Sequence, residues 1–501
     1  MSMRAGPLAR ICIVGGGTAG WIAAALIAHH YPQIAVELVE SDDIGTIGVG
    51  ESTIPPFLQL LARLGVSESD FIRDCQASYK LGIEFRDWQR PGTAYFHPFG
   101  DLGTPDTTDF YQLWLRARAE GLDLPLQDFA PANVMAQAGR FTLPFAARQT
   151  PVGTAAYALH VDAKRVAAFL RRYAEARGVV RTEGLVDDVA VDPGGFVQAI
   201  RLRTGEQITA DLFLDCTGFR ALLAGKALGG GYRDWSHWLL CDRAVAVQTA
   251  NAGPPPPFTL AQAQPAGWRW RIPLQHRTGN GHVFSSAHMS DDEATALLLA
   301  QVEGEPVTAP VTVPFRTGVR EAPWQGNVVA IGLAQGFIEP LESTAIHLVY
   351  RAVDYLFRFL PARDCAAELA GEFNRRMIAD YEEIRDFVVL HYCLTERRDT
   401  PFWTACATME LPDSLARRIA LFRVNGTVPD GTDELFRAVS WQAVISGMGV
   451  TPRGWHPAMD RAAAPTLAPD LTRAAATLAR FVDTLPTHAR FIADHVRAPA
   501  P

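Results

Sequence analysis

Three lysines stand among 43 arginines in this 501-residue chain: Lys80, Lys164 and Lys226. Base-composition bias explains the overall preference, but where arginine is the default cation a retained lysine asks for a chemical reason. A compact, rotatable ammonium that can give up its proton is not replaced by a planar guanidinium. A second pattern is Gly15-Gly16-Gly17-Thr18-Ala19-Gly20, which follows the apolar run 11–14 and opens a helix expected over Thr18–His30. Gly-x-Gly-x-x-Gly in that setting puts a dinucleotide pyrophosphate on a helix N-terminus. Glu40 ends a second strand twenty residues beyond Gly20, the place for an acid that binds a ribose hydroxyl. A tight turn without ligand is the plainer alternative, and strand, helix, strand and acid in register weigh against it. The third pattern is the hexad 268–273, with Trp268, Trp270 and Pro273. Its indoles share one face of a short strand, as core aromatics or as a rigid wall.

The bulk numbers bound what these groups can serve. With 48% hydrophobic and 20% charged residues the chain is that of an ordinary soluble protein. A net charge of -8 without basic blocks excludes a nucleic-acid scaffold and a membrane patch. The start lacks an apolar signal segment, and the run 22–28 is too short to span a bilayer, so a cytoplasmic location is expected. Seven scattered cysteines show no metal-ligand spacing and read as small buried hydrophobes.

The elements that must position these groups form an α/β fold: an FAD-binding dinucleotide fold, an antiparallel substrate sheet and a mostly helical C-terminal region. Residues 212–215 and 327–332 are two further strands running into glycine turns at Gly218 and Gly332. Three strand ends returning to one nucleotide favour FAD over a simple NAD domain. Gly45, Gly48 and Gly50 lead into Glu51-Ser52-Thr53, a loop suited to backbone ligation. Residues 239–247 and 268–285 alternate as sheet strands, with 278–281 (Thr-Gly-Asn-Gly) read as the hairpin turn. From Thr344 helical periodicity dominates, including a long helix over 366–394. The chain divides on this reading into 1–350, an FAD-binding, monooxygenase-like region with the sheet interleaved, and 351–501, a helical region packing on the substrate site.

Taken together, the motifs resemble the flavin-dependent halogenases, the family of the tryptophan halogenases. The resemblance runs through the glycine loop to Trp21, Gly48-Val49-Gly50-Glu51-Ser52-Thr53, Ala77-Ser78-Tyr79-Lys80 and Phe96-His97-Pro98-Phe99-Gly100. It continues through Asp215-Cys216-Thr217-Gly218-Phe219, the tryptophan hexad, Glu339-Pro340-Leu341-Glu342-Ser343-Thr344, and the segments 391–395 and 399–403.

The resemblance implies FADH2, O2 and a chloride or bromide ion as reactants, hypohalous acid as oxidant, and a separate flavin reductase as partner. It implies that the oxidant reaches Lys80, which activates it by hydrogen bonding or as a haloamine, while Glu342 stabilises or deprotonates the ring cation. It sets FAD against Gly15, Gly17, Thr18, Ala19, Gly20, Glu40, Ser52, Val186, Gly218, Leu333 and Ile346, and halide at the Thr344 and Ala345 amides. Relatives often have glycine where Ala345 stands. Trp268 and Trp270 would shield the flavin, and His97 and Phe99 would touch substrate.

Each assignment has a plainer reading: Lys80 a surface lysine, Glu342 a helix-dipole acid, His97 a loop histidine. Lys164 and Lys226 lack motif context and are expected at the surface. Segment 441–457 lacks the paired tyrosines and glutamate with which tryptophan-specific relatives grip the amino acid, so an indole or similar small aromatic is expected instead. A flavin-dependent aromatic monooxygenase and a non-catalytic flavin-binding protein are the other readings, and a homodimer is left open.

Overall fold

Four consecutive apolar residues cannot alternate between core and solvent, and Ile11 to Val14 are accordingly buried at the middle of a six-stranded sheet. The computed structural model describes residues 6–44, 51–103, 109–429, 431, 433–462 and 467–499, so Gly45, Gly48 and Gly50 lie outside the described residues. The sheet order is Trp324–Gln325, Val328–Ala330, Leu212–Asp215, Arg10–Val14, Ala35–Glu40, Val180–Glu183. Neighbours are parallel except at the Trp324–Gln325 edge, which forms an antiparallel hairpin with Val328–Ala330. Helix Thr18–His30 is buried from Gly20 to Ala28, and it packs against helices Ala163–Glu175 and Ala345–Arg358. An apolar circumference is what a helix inside a core requires.

Two compact units interleave along the chain. One comprises Met1–Cys75, Val161–His237 and Phe315–Glu382, and the other Gln76–His160, Trp238–Pro314 and Glu383–Pro501. Residue 350, where the sequence reading divides the chain, falls within helix Ala345–Arg358. The dinucleotide-type sheet belongs to the first unit.

The second unit holds a seven-stranded sheet in the order Val311–Pro314, Arg243–Thr249, Thr278–Phe284, Gly267–Pro273, Thr259–Gln264, Gly82–Arg86, Ala94–Pro98. It is antiparallel except where Thr259–Gln264 runs parallel to Gly82–Arg86. The turn expected at 278–281 lies earlier, where the Leu274 amide donates to the Arg277 carbonyl, and Thr278–Phe284 is strand throughout. The glycine misread as turn chemistry serves close approach: Gly281 pairs with Trp270, and a Cβ there would lie 2.0 Å from the indole. The long helix is Ala367–Cys393, and helices Pro401–Ala407, Asp413–Asn425, Ala438–Gly447, Leu467–Asp483 and His488–His495 follow. No described helix is long and apolar enough to cross a membrane.

Candidate functional site

The glycine loop of the first unit is a cradle that leaves no room for a side chain at Gly15, Gly16 or Gly20. Gly15 has φ +109°, and a Cβ there would meet the Cys216 carbonyl oxygen at 2.2 Å. A Cβ at Gly20 would sit 1.9 Å from the Gly15 oxygen, which is how the helix comes so close to the strand. In front of Gly17, by contrast, a Cβ would meet nothing within 4 Å. Gly17 is also the N-cap of helix Thr18–His30, which has no side-chain cap and no acid in its first turn. Uncapped amides at the positive end of a helix dipole fit a pyrophosphate, so the residues present suit a dinucleotide such as FAD.

Glu40 lies over this loop, its Oε2 where a Gly16 side chain would be, and Arg181 donates to its other oxygen at 2.6 Å. Val186 packs half-buried on the cluster that contains Val14 and Val39. The next two strands of the sheet on one side, Leu212–Asp215 and Val328–Ala330, also lead into left-handed glycines, Gly218 at φ +66° and Gly332 at φ +67°. Gly332 approaches Ala19 so closely that a Cβ would lie 2.9 Å from the alanine methyl, and Leu333 follows it half-buried. Ligands of open parallel sheets bind outside this carboxyl edge. Asp215 does not face it. Its carboxylate is fully buried and accepts from the Thr217 amide and hydroxyl and from the Leu223 and Ala224 amides.

Helix Ala345–Arg358 begins after a left-handed Ser343, φ +61°, and its N-cap Thr344 makes no side-chain cap. Glu342 is 1% exposed in the turn before it, Ala345 is exposed and Ile346 is buried. A cavity of about 10 Å³ adjoins the first turn, lined by Thr53, Ile54, Phe57, Ile346, His347 and Tyr350. That is room for a single water. Ser52, half-buried, precedes Thr53 in the strand Glu51–Ser52.

Lys80 belongs to the second unit and is 0% exposed, which removes the surface-lysine reading. Lys164 and Lys226 are both exposed. Lys80 ends the strand Ser78–Lys80, pairs with Ala158, and holds its Nζ 4.8 Å from the centre of the Phe99 ring. A cation that close to an aromatic face is attracted by the ring quadrupole.

Two residues that sequence reasoning did not single out flank this strand. Ser78 faces His160 across the strand pair, donates to the Pro273 carbonyl at 2.5 Å, and lies 3.2 Å from His160 Nδ1. With the serine hydrogen used, the imidazole Nδ1–H is the donor, and His160 Nε2 accepts from Thr259 at 2.9 Å. Burial, then the charge of Lys80, hold His160 well below the usual histidine range, so it is neutral. Beyond the strand, the Tyr79 amide donates to His488 Nε2 at 3.2 Å, and His488 Nδ1–H donates to the Pro255 carbonyl at 2.7 Å. The signal for His160 was a lone polar residue in the apolar strand Ala158–Val161; nothing near residue 488 pointed back to Tyr79.

The indoles of Trp268 and Trp270 are buried with ring centres 6.0 Å apart, and Trp88 adjoins Trp268 at 6.4 Å. His97 is 2% exposed, no loop histidine but a strand residue framed by Phe99, Phe387 and Phe436 at 6.4, 5.5 and 6.2 Å. Phe387 stacks on Phe436 at 3.8 Å and meets Trp441 edge-on at 4.9 Å. Glu383 fixes Phe436 by accepting from the Leu435 and Phe436 amides. A larger cavity, about 370 Å³, lies instead against the C-terminal tail, between Gln76, Gln275, His276 and Ile492, and includes none of the nominated residues.

Comparison with known proteins agrees with this geometry. The tryptophan halogenase family model matches residues 10–464. Tryptophan 7-halogenase RebH of Lentzea aerocolonigenes is 35% identical over 89% of this chain and 91% of its own. Among solved structures, Xcc4156, a flavin-dependent halogenase from Xanthomonas campestris, is 43% identical with a TM-score of 0.94, covering 99% of this chain and 100% of that one. BrvH, a flavin-dependent halogenase from Brevundimonas sp. BAL3, is 42% identical with a TM-score of 0.93 over 98% and 99% of the two chains.

Proposed function

The chain belongs to the tryptophan halogenase family, and from that premise we propose which of its residues carry the reaction and which substrate they suit. It is a flavin-dependent halogenase, an oxidoreductase that uses FADH2, O2 and halide. When bound, the reduced flavin would supply two electrons that activate O2, which then takes two more from halide: FADH2, O2, halide and a proton give FAD, hypohalous acid and water.

The glycine cradle, Glu40, Ser52, Val186, Gly218, Leu333 and Ile346 hold the cofactor, and the uncapped Thr344 and Ala345 amides hold the halide. To Trp268 and Trp270 we assign the exclusion of organic substrate from the flavin. Lys80 activates the oxidant, donating a hydrogen bond to its oxygen or carrying the halogen on nitrogen, which a guanidinium does not do in the same way. The aromatic carbon takes the halogen, Glu342 balances the developing ring cation and removes its proton, and the oxygen leaves as water. The observation that carries this reading is the burial of Lys80 against Phe99 while the other two lysines face solvent.

The substrate is an indole or another electron-rich ring without an amino acid group. Support comes from the rings around His97, which are apolar, and from the cost of burying an ammonium or carboxylate unpaired. FADH2 comes from a separate reductase, because the sequence offers one dinucleotide loop. The test is a mass-spectrometric screen with purified chain, a flavin reductase, FAD, and chloride or bromide, comparing indole with tryptophan. Halogenated indole at higher kcat/KM than tryptophan supports the reading. Hydroxylated products would overturn it in favour of a monooxygenase, and no product from any aromatic would reduce the chain to a flavin binder.

A further inference from the structure

We infer that His160 is a positioning residue for Lys80: acting through Ser78, its imidazole fastens the strand that carries the lysine to the end of the strand that carries Trp268 and Trp270. The inference rests on Lys80 as the group that activates hypohalous acid, and it adds how this chain fixes the place where that group is delivered.

Ser78 and Lys80 are two residues apart and leave the strand on the same face. The backbone ladder that holds them is short, pairing Ser78, Tyr79 and Lys80 with His160, Leu159 and Ala158. So short a ladder leaves a long, flexible side chain poorly aimed. The side-chain chain from Thr259 through His160 and Ser78 to the Pro273 carbonyl supplies what the ladder lacks. It joins four strands of the second unit, and its last acceptor is the residue that ends the tryptophan hexad. Ser78 and His160 are fully buried, both imidazole nitrogens are engaged, and the Pro273 carbonyl that Ser78 reaches also interacts with the His160 ring directly. A buried network satisfied in this way rigidifies its surroundings. A neutral imidazole also adds no second cation beside the ammonium.

The scarcity of lysine makes the effect readable. Full-length protein carrying 13C at the lysine ε position gives three side-chain signals, two from exposed residues and one from Lys80, assigned by its loss in Lys80→Met. The series is Ser78→Ala, His160→Leu, which removes both hydrogen bonds, and His160→Asn, which keeps an N–H donor on the Ser78 side. The Lys80 signal should shift or broaden in Ser78→Ala and His160→Leu and less in His160→Asn, with the other two unmoved. FAD affinity, read by flavin fluorescence, should stay within about twofold. Product formed per O2 consumed should fall at least about tenfold in His160→Leu, since a misplacement near 1 Å costs on the order of a hundredfold. His160→Asn should recover part of it.

An unmoved Lys80 signal or wild-type coupling in His160→Leu would overturn the inference. So would parallel loss of melting temperature, FAD affinity and product with Asn no better than Leu, which is the signature of a merely structural histidine. A wild-type chain that makes no halogenated product while its Lys80 signal still responds to His160 would sustain the positioning and sink the role given to Lys80.

Discussion

Replacing Gly281 by alanine tests whether the tryptophan wall is built to a fixed shape. In a strand, alanine is ordinarily the better residue by about 0.5–1 kcal/mol, because glycine loses more backbone freedom. At this position the new methyl would lie 2.0, 2.1 and 2.5 Å from Cζ2, Cη2 and Cε2 of Trp270. Ordinary carbon contact is about 3.5–4.0 Å, so the ring must retreat about 1.5 Å. It has little room to do so, being 5% exposed with Trp268 as a neighbour, and overpacking of this kind costs ~1–3 kcal/mol. The clash outweighs the entropy gain, and Gly281→Ala should lower the melting midpoint. The offending atoms belong to the benzo ring that phenylalanine largely lacks. The double variant Gly281→Ala, Trp270→Phe should therefore be more stable than the two single effects predict, by ~0.5–3 kcal/mol. Denaturant unfolding of the four proteins gives that coupling directly, and product per O2 consumed reports whether the displaced indole still does its work. Equal stability of Gly281→Ala and wild type, or strict additivity in the cycle, would refute the argument.

Lys80→Arg should abolish halogenation while FAD binding and O2 consumption persist; wild-type-like product would remove Lys80 from the chemistry. Asp215→Asn turns an NH2 toward backbone N–H donors in a site with no solvent and should cost on the order of 3 kcal/mol, with weaker FAD binding through the Gly218 turn, read by melting and flavin titration. Burial lowers His488 and His282 to about 4 and His347 to about 3, and holds His160 well below its ordinary range. The unfolded chain binds those protons first, near pH 6.5, so their contribution to stability is complete above that pH and falls away as pH drops toward 4, by up to ~3 kcal/mol each for His488 and His282. Urea midpoints between pH 7.5 and 5 should show the decline, and His488→Asn should flatten it. The isolated chain with FAD should not oxidise NADPH; appreciable turnover would contradict the separate reductase.

What the sequence disclosed was local. The glycine loop and Glu40 were legible because strand, turn and acid lie within thirty residues and Gly15, Gly16 and Gly20 each have a steric reason to be there. Lys80 and Glu342 stood out by resemblance, and lysine scarcity marked the first independently. Gly281 was misread because a glycine-rich stretch signals a turn and a close approach in the same letters; only the indole lying across it decides. The interleaving of the two units was illegible, since no composition shift marks residues 75, 160, 237, 314 or 382 where the chain passes between them. Phe436 gave no signal either, because its place against His97 depends on Glu383, more than fifty residues earlier.

The hydrogen bond between the Tyr79 amide and His488 spans 409 residues of chain. A ribosome adding about 5–20 residues per second needs roughly 20–80 s to go from one to the other. Throughout that interval the strand that ends in Lys80 has emerged without the helix that completes its surroundings, and an amide destined for burial must be served by water or a chaperone. The lysine environment is therefore among the last parts of the molecule to be finished, and a nascent chain released short of residue 488 would carry the glycine cradle complete in sequence yet leave the Lys80 strand without its final anchor.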